Sequence, residues 1–253
     1  MKAGKVTRWG ASGIHLAISA AIAAVGLVLL LVVWYPPPLF VAAGGNDLLF
    51  LLVGVDVIVG PLITLIIFRP GKKGLKFDLA VIGVVQMAAL VYGMSIVYLA
   101  RPAFVVFVKD RFEVVTAIEL SEQHLAEAKY PQFRRVPILG PVWAYGNFPS
   151  DPEERNRLIE STLSAGKDLQ HFPRYFSPYE EGLPEVLARA QTVERVRATD
   201  PKAAPALDEW LKKSGRPADS VRYLDLRAPL YWVGVVLDAK SGERLDMFIY
   251  EKL

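Results

Sequence analysis

The chain has 253 residues, is 53% hydrophobic and carries a formal net charge of +3. It contains no cysteine, which excludes disulfide bonds and thiolate chemistry. No DNA- or RNA-binding motif accompanies the small positive charge, so we expect no nucleic-acid partner. The hydrophobic excess lies in residues 1–100, and the remainder has the composition of one soluble domain.

Three apolar segments predict three transmembrane helices, at about residues 14–34, 48–68 and 79–100. The first is longer than the apolar region of a usual signal peptide, and a tyrosine and three prolines follow it directly, so we expect it to remain uncleaved. The sequence therefore divides into a transmembrane region, residues 1–100, and a second domain, residues 101–253.

The basic residues predict the orientation in the membrane. They precede the first apolar segment and fill the loop after the second, whereas residues 35–47 contain no Lys or Arg. The positive-inside rule then places the N-terminus in the cytoplasm and residues 101–253 in the periplasm, with the helices in a bacterial inner membrane. The residues expected to anchor the helices at the lipid surface are Arg69, Lys72, Lys73, Lys76, Asp78 and Arg101.

Residues 101–253 predict an α+β domain with an antiparallel sheet and helices packed on one side. Apolar runs on both sides of Lys109 and Asp110 predict a hairpin directly after the third apolar segment. Asp151 followed by Pro152 is typical of a capped helix start, and Gly166 of the helix end. Three more strands are expected at about residues 221–226, 231–237 and 245–250, whereas residues 130–149 show no clear period.

One carboxylate, Asp56, lies in the middle of the second apolar segment. A charge is costly to bury in a bilayer, so Asp56 is a candidate functional residue. On a helix it would share a small polar face with Gly60 and Thr64, next to the interruption that Pro61 imposes. This face either binds a partner helix or is satisfied within the helix bundle, where the polar residues at a similar depth are Gln86 and Tyr92.

No catalytic or metal-binding pattern is present. The three histidines are scattered, and no nucleophile, phosphate-binding or zinc motif occurs. Asp47 and Asp78 lie at the ends of their segments, too far from Asp56 to form a pair of catalytic carboxylates. We therefore expect no enzymatic activity, no metal and no cofactor.

The second apolar segment and the residues after it resemble a known family. The motif VDVIVGPLITL at residues 55–65 resembles that of the type IV pilin accessory proteins, the TfpX/TfpZ (FimB-like) family, and the similarity continues through KFDL at 76–79, Gln86, Tyr92 and RPAF at 101–104. The resemblance implies a non-catalytic inner-membrane protein that binds or stabilises the major type IV pilin and assists pilus assembly. The face around Asp56 would then contact the pilin helix.

A second interpretation is a membrane-anchored periplasmic sensor or small-ligand-binding module. A cavity lined by convergent polar groups in residues 101–253 would favour it, whereas a flat apolar patch or a free strand edge would favour a protein partner. The sequence leaves the oligomeric state open.

Overall fold

The computed structural model describes residues 7–46, 49–50 and 54–253. The chain forms two compact units. The first, which we call the helical unit, comprises residues 1–33 and 45–99, and the second, the sheet unit, comprises residues 34–44 and 100–253. The segment that follows the first long helix therefore folds with the sheet.

The helices and strands are numbered in chain order. The α-helices are α1 (Arg8–Val28), α2 (Leu39–Ala42), α3 (Gly60–Ile67), α4 (Leu75–Leu99), α5 (Glu122–Ala126), α6 (Pro152–Ala165), α7 (Leu183–Arg189), α8 (Val193–Thr199) and α9 (Ala203–Ser214). The strands are β1 (Pro102–Val108), β2 (Arg111–Thr116), β3 (Val142–Gly146), β4 (Phe176–Pro178), β5 (Val221–Arg227), β6 (Tyr231–Asp238) and β7 (Arg244–Lys252).

The prediction of three transmembrane helices is wrong. Within the described residues, two helical stretches are long and apolar enough to cross a membrane, Arg8–Trp34 with 27 residues and Leu75–Leu99 with 25. The helical stretch described in the second predicted span is Gly54–Ile67, about 21 Å long at about 1.5 Å per residue and shorter than a hydrocarbon core of about 30 Å. Residues 47–48 and 51–53 lie outside the described part of the chain.

Proline explains the irregular geometry of this shorter segment. Pro61 has no N–H and cannot close the helical turn before it. The preceding residues, Gly54–Val59, form a π-helical turn, and regular α-helix begins at Gly60. The two long helices bury few of their residues, so their apolar surfaces permit membrane anchoring.

The sheet unit contains a mixed seven-stranded sheet with the order β4-β3-β1-β2-β5-β6-β7. The prediction of an antiparallel sheet is wrong, because β1 pairs with β3 and β2 pairs with β5 in parallel. The predicted hairpin is confirmed: β1 and β2 are antiparallel. Parallel neighbours need long connections, so a local sequence pattern does not reveal them.

Helices cover both faces of the sheet, and not one side as predicted. Phe104 and Val106 of β1 lie in a core with residues of α5 and α6. Val105 and Phe107, which point the opposite way, lie in a second core with residues of α2 and α7. Every residue of β1 is buried, as expected for a strand with both faces covered.

The predicted helix start at Asp151 is confirmed. Its carboxylate accepts a hydrogen bond of 3.0 Å from the backbone N–H of Glu154, and α6 begins at Pro152. The helix ends at Gly166, whose φ of 66° is in the left-handed region that favours glycine.

Candidate functional site

A group of polar side chains lies inside the helical unit, where α1 contacts α3. His15 Nδ1 is 2.6 Å from Thr64 Oγ1, and Ser12 Oγ donates to the carbonyl oxygen of Pro61 at 2.9 Å. Ser12, His15 and Ser19 share one face of α1, because they are three and four residues apart. That spacing is the sequence signal that would have identified them.

Asp56, on the π-helical turn before α3, and Gln86, on α4, complete this group. Gln86 Nε2 donates to the backbone carbonyl oxygen of Asp56 at 3.5 Å, a long hydrogen bond. Gly60 permits this approach, because a Cβ atom there would lie 2.0 Å from Gln86 Nε2. We call Ser12, His15, Asp56, Thr64 and Gln86 the polar cluster.

Two oxygens of the polar cluster are buried without a hydrogen-bond donor in the described part of the chain: Asp56 Oδ1 and Gln86 Oε1. A buried acceptor without a donor costs about 1–3 kcal/mol, and native structures usually satisfy such groups. The polar cluster is therefore short of a donor, and a bound group could supply one.

A cavity of about 140 Å³ lies beside the polar cluster. His15, Asp56 and Gln86 form its polar side, and apolar side chains such as Ile18 and Met87 form the rest. Ile18 and Met87 are 55% and 50% exposed, so the cavity opens on the surface of the helical unit. A group that fits it would carry a hydrogen-bond donor and be flanked by apolar atoms.

The four residues predicted to bind a partner lie in two environments. Asp56 is half-buried and lines the cavity. Gly60, Pro61 and Thr64 are buried, and their contacts are with α1 and α4 of the same unit. Of the face predicted from the sequence, Asp56 is thus the residue that a partner can reach through the cavity.

Of the two residues expected to support Asp56, Gln86 contacts it and Tyr92 does not. Gln86 hydrogen-bonds to Asp56, whereas Tyr92 is 69% exposed and does not line the cavity. The sequence placed both at a similar depth, but they lie on different faces of α4.

Most of the expected surface anchors are exposed, at the end of α3 or around the start of α4. Arg69, Lys73 and Lys76 are exposed, and Lys72 Nζ forms an ion pair of 2.6 Å with Asp78 Oδ2. Apart from this ion pair, the basic stretch exposes its charged groups to solvent or lipid headgroups.

Arg101 differs from the other expected anchors. It is 3% exposed, and its Nε and Nη2 atoms donate to the carbonyl oxygen of Pro137 at 3.2 and 3.0 Å. A buried guanidinium bound to a backbone carbonyl cannot contact headgroups. Arg101 is therefore part of the packing of the sheet unit, in contrast to the expectation from its position after an apolar helix.

The sheet unit carries a polar cleft of about 640 Å³. Asp225 in this cleft accepts hydrogen bonds from the phenols of Tyr223 and Tyr250 at 2.6 and 2.8 Å. Burial, together with the neighbouring Asp225 charge, raises the pKa of both tyrosines above the usual value. Both phenols therefore remain donors to this carboxylate at neutral pH.

The arginines of the polar cleft differ in their charge partners. Arg111 Nε pairs with Glu113 Oε1 at 2.6 Å, and Arg189 pairs with Glu185 at 2.9 Å. Arg195 is exposed at the cleft and forms no ion pair with the residues that the structure describes. The cleft thus combines a cation without an ion pair among the described residues, Arg195, with a carboxylate, Asp225, whose partners are phenols; an anionic group of a ligand could pair with Arg195.

Comparison with known proteins points to the same family as the resemblance of the motif at residues 55–65, through other parts of the chain as well. A family model described as fimbrial assembly protein FimB matches residues 5–44. The fimbrial assembly proteins of serogroups I and E1 from Dichelobacter nodosus are 35% and 33% identical over 182 residues, which are 71% of this chain and 70% of each relative. The serogroups C1 and C2 protein of the same organism is 39% identical over 119 residues, 46% of this chain and 91% of the relative. No solved structure matches the chain. The chain therefore belongs to the FimB family of fimbrial assembly proteins.

Proposed function

We propose that this protein assists type IV pilus assembly as a non-catalytic accessory protein of the inner membrane that binds the major pilin. The relatives named as fimbrial assembly proteins support the process. The observation that carries the binding role is the pair of buried oxygens, Asp56 Oδ1 and Gln86 Oε1, that lack a donor beside an open cavity.

In this proposal the apolar helix of the pilin lies across the mouth of the cavity and places one polar donor next to Asp56. Apolar side chains at the mouth, including Ile18 and Met87, would contact the rest of that helix. Supplying a donor to a buried acceptor removes a cost of about 1–3 kcal/mol, which makes the interaction selective for a helix with a donor at that depth.

The orientation in the membrane is supported by the two long helices. Arg8 begins α1, and Lys72, Lys73 and Lys76 surround the start of α4. Both helices lead at their other ends into the sheet unit, at residues 34 and 100. The positive-inside rule then gives cytoplasmic helix starts and a periplasmic sheet unit. A reporter fused at the C-terminus should be active in the periplasm, and activity in the cytosol would overturn this orientation.

A photo-crosslinking amino acid at Met87 tests the binding surface. Met87 lies at the mouth of the cavity, whereas Val85 is 62% exposed and points to the opposite side of α4. In cells that assemble pili, we expect capture of the major pilin from Met87 and not from Val85. Capture from Val85 alone would refute the proposed surface.

The substitution Asp56→Leu tests the role of the carboxylate, because it removes both acceptor oxygens and leaves an apolar residue that inserts readily. We expect normal levels of the protein but less pilin crosslinked from Met87 and fewer surface pili. Unchanged piliation at normal expression would count against pilin binding through Asp56.

The polar cleft supports a second candidate function, the binding of a small anion by the sheet unit. Arg195 supplies an unpaired cation there among the described residues. Thermal unfolding with added citrate or phosphate tests it: stabilisation that is lost in Arg195→Ala would favour this candidate. Equal unfolding temperatures with and without the anions would argue against it.

A further inference from the structure

Exposed apolar side chains are not evenly distributed over the sheet unit. Among the described residues of this unit, eight large hydrophobic side chains are exposed. Five of them lie close to two of the three positions where the chain passes between the helical and the sheet unit, those at residues 44 and 100: Ile118, Ile138, Leu139, Leu230 and Leu253. The other three are Phe148, Ile159 and Leu163.

Hydrogen bonds place three of the five residues beside Arg101, the second residue of the sheet unit after α4. The guanidinium of Arg101 holds the carbonyl oxygen of Pro137, next to Ile138 and Leu139, which are 65% and 77% exposed. The carbonyl oxygen of Arg101 accepts a hydrogen bond of 2.9 Å from the N–H of Ala117, next to Ile118. All three residues thus lie near Arg101, which follows α4 in the chain.

The other two residues lie beside Gly44, where the chain leaves the sheet unit. The backbone N–H of Leu230 donates to the carbonyl oxygen of Ala42 at 3.0 Å, and the N–H of Leu253 donates to the carbonyl oxygen of Leu230 at 2.8 Å. The side chain of Leu230 is so close that a Cβ atom on Gly44 would lie 2.7 Å from it.

We infer that these five side chains form a lipid-contacting rim by which the sheet unit rests on the membrane surface. The inference rests on the proposed anchoring of α1 and α4 in a bilayer. If α4 ends at that bilayer, Arg101 and the side chains tied to it lie at the level of the headgroups. The exposed Arg134 and Arg135 precede the tip of the loop that carries Ile138 and Leu139, and arginine beside apolar residues suits an anionic lipid interface.

The lipid-contacting rim would fix the orientation of the sheet unit on the membrane. Apolar contacts with the interface would restrict the orientation of the sheet unit above the membrane more than its three chain connections do by themselves. A partner that spans the same membrane would then meet the sheet unit in a fixed position.

The absence of cysteine makes the test direct, because a single introduced cysteine can be labelled specifically. We would place a nitroxide spin label on Leu139→Cys, Leu163→Cys or Val85→Cys in the full-length protein, in nanodiscs that contain anionic phospholipid. Leu163 is 83% exposed on α6 and controls for an exposed leucine elsewhere on the sheet unit. Val85 on α4 reports on membrane anchoring itself.

Relaxation by lipid-soluble oxygen and by a water-soluble nickel complex measures the environment of each label. We expect the oxygen-to-nickel ratio at Leu139 to approach that at Val85 and to exceed that at Leu163 severalfold. A Leu139 label as accessible to nickel as the Leu163 label, or shielded from both reagents, would overturn the lipid-contacting rim if Val85 still reports lipid. A water-exposed Val85 label would instead overturn the membrane anchoring, and the rim with it.

Discussion

Replacing Gly60 by alanine should stabilise the helical unit less while Gln86 is present than after Gln86→Ala. Alanine is better than glycine in a helix by about 0.8–1 kcal/mol. The new Cβ atom would lie 2.0 Å from Gln86 Nε2 and 2.8 Å from its Cδ, so the flexible end of Gln86 must turn away. It then loses its hydrogen bond to Asp56, which costs about 0.5–1.5 kcal/mol. The gain and the loss nearly cancel, so the net effect is within about 1 kcal/mol of zero. With Gln86→Ala the overlap is absent, so the same substitution should stabilise by about 1 kcal/mol.

The four proteins of this double-mutant cycle would be compared by reversible unfolding in detergent mixed with SDS, followed by helical circular dichroism. Gly26→Ala on α1 is the matched control, because no atom lies within 4 Å of a Cβ at that position. It should stabilise the protein equally with Gln86 and with Ala at position 86. Equal effects of Gly60→Ala in both backgrounds would refute the contact between α3 and α4.

Three further predictions concern the sheet unit. Gly234→Ala should destabilise it by about 1–3 kcal/mol, because the new Cβ would lie 2.7 Å from the buried ring of Tyr223; an unchanged urea midpoint would contradict this packing. Asp151→Ala removes the cap of α6 and should cost about 1 kcal/mol in the same assay, with Asp151→Asn as the variant that keeps an acceptor. Burial raises the pKa of Tyr179 from 10.0 to about 12, so the unfolded chain loses this proton first. The resulting stability of about 3 kcal/mol is present below pH 10 and should disappear as the pH rises to 12, and Tyr179→Phe should make unfolding less sensitive to pH in that range.

The elements that could be predicted are those specified by neighbouring residues. The capped start of α6 depends on Asp151 and Pro152, and its end on Gly166, so three local residues were enough. The hairpin of β1 and β2 depends on two adjacent apolar runs and a two-residue turn. In both cases the interacting groups are close in sequence, so their pattern shows the structure.

The elements that escaped prediction depend on contacts between distant residues. Strand β3 lies in a stretch rich in proline and aromatic residues, and its pairing with β1 provides the strand geometry that its own sequence does not indicate. The second apolar segment has the composition of a membrane span, but Pro61 interrupts its regular hydrogen bonding. The sequence predicted the interruption at Pro61, but not the π-helical turn that precedes it.

The candidate site was predicted in part. Asp56 and Gln86 were identified because polar residues in apolar segments are costly and rare. The contact between Thr64 and His15 was not, because it depends on how α1 packs against α3. The sequence therefore indicated which groups needed partners, and helix packing decided which partners they found.

The placement of residues 34–44 in the sheet unit has a consequence for synthesis. Leu39 and Ala42 are 2% and 0% exposed in a core built with strands from the far end of the chain. The ribosome synthesises this segment long before those strands. Its apolar side chains therefore lack their native partners until translation is nearly complete. A recombinant fragment that starts at residue 100 would lack this piece, leave an apolar hollow in its place and be prone to aggregate.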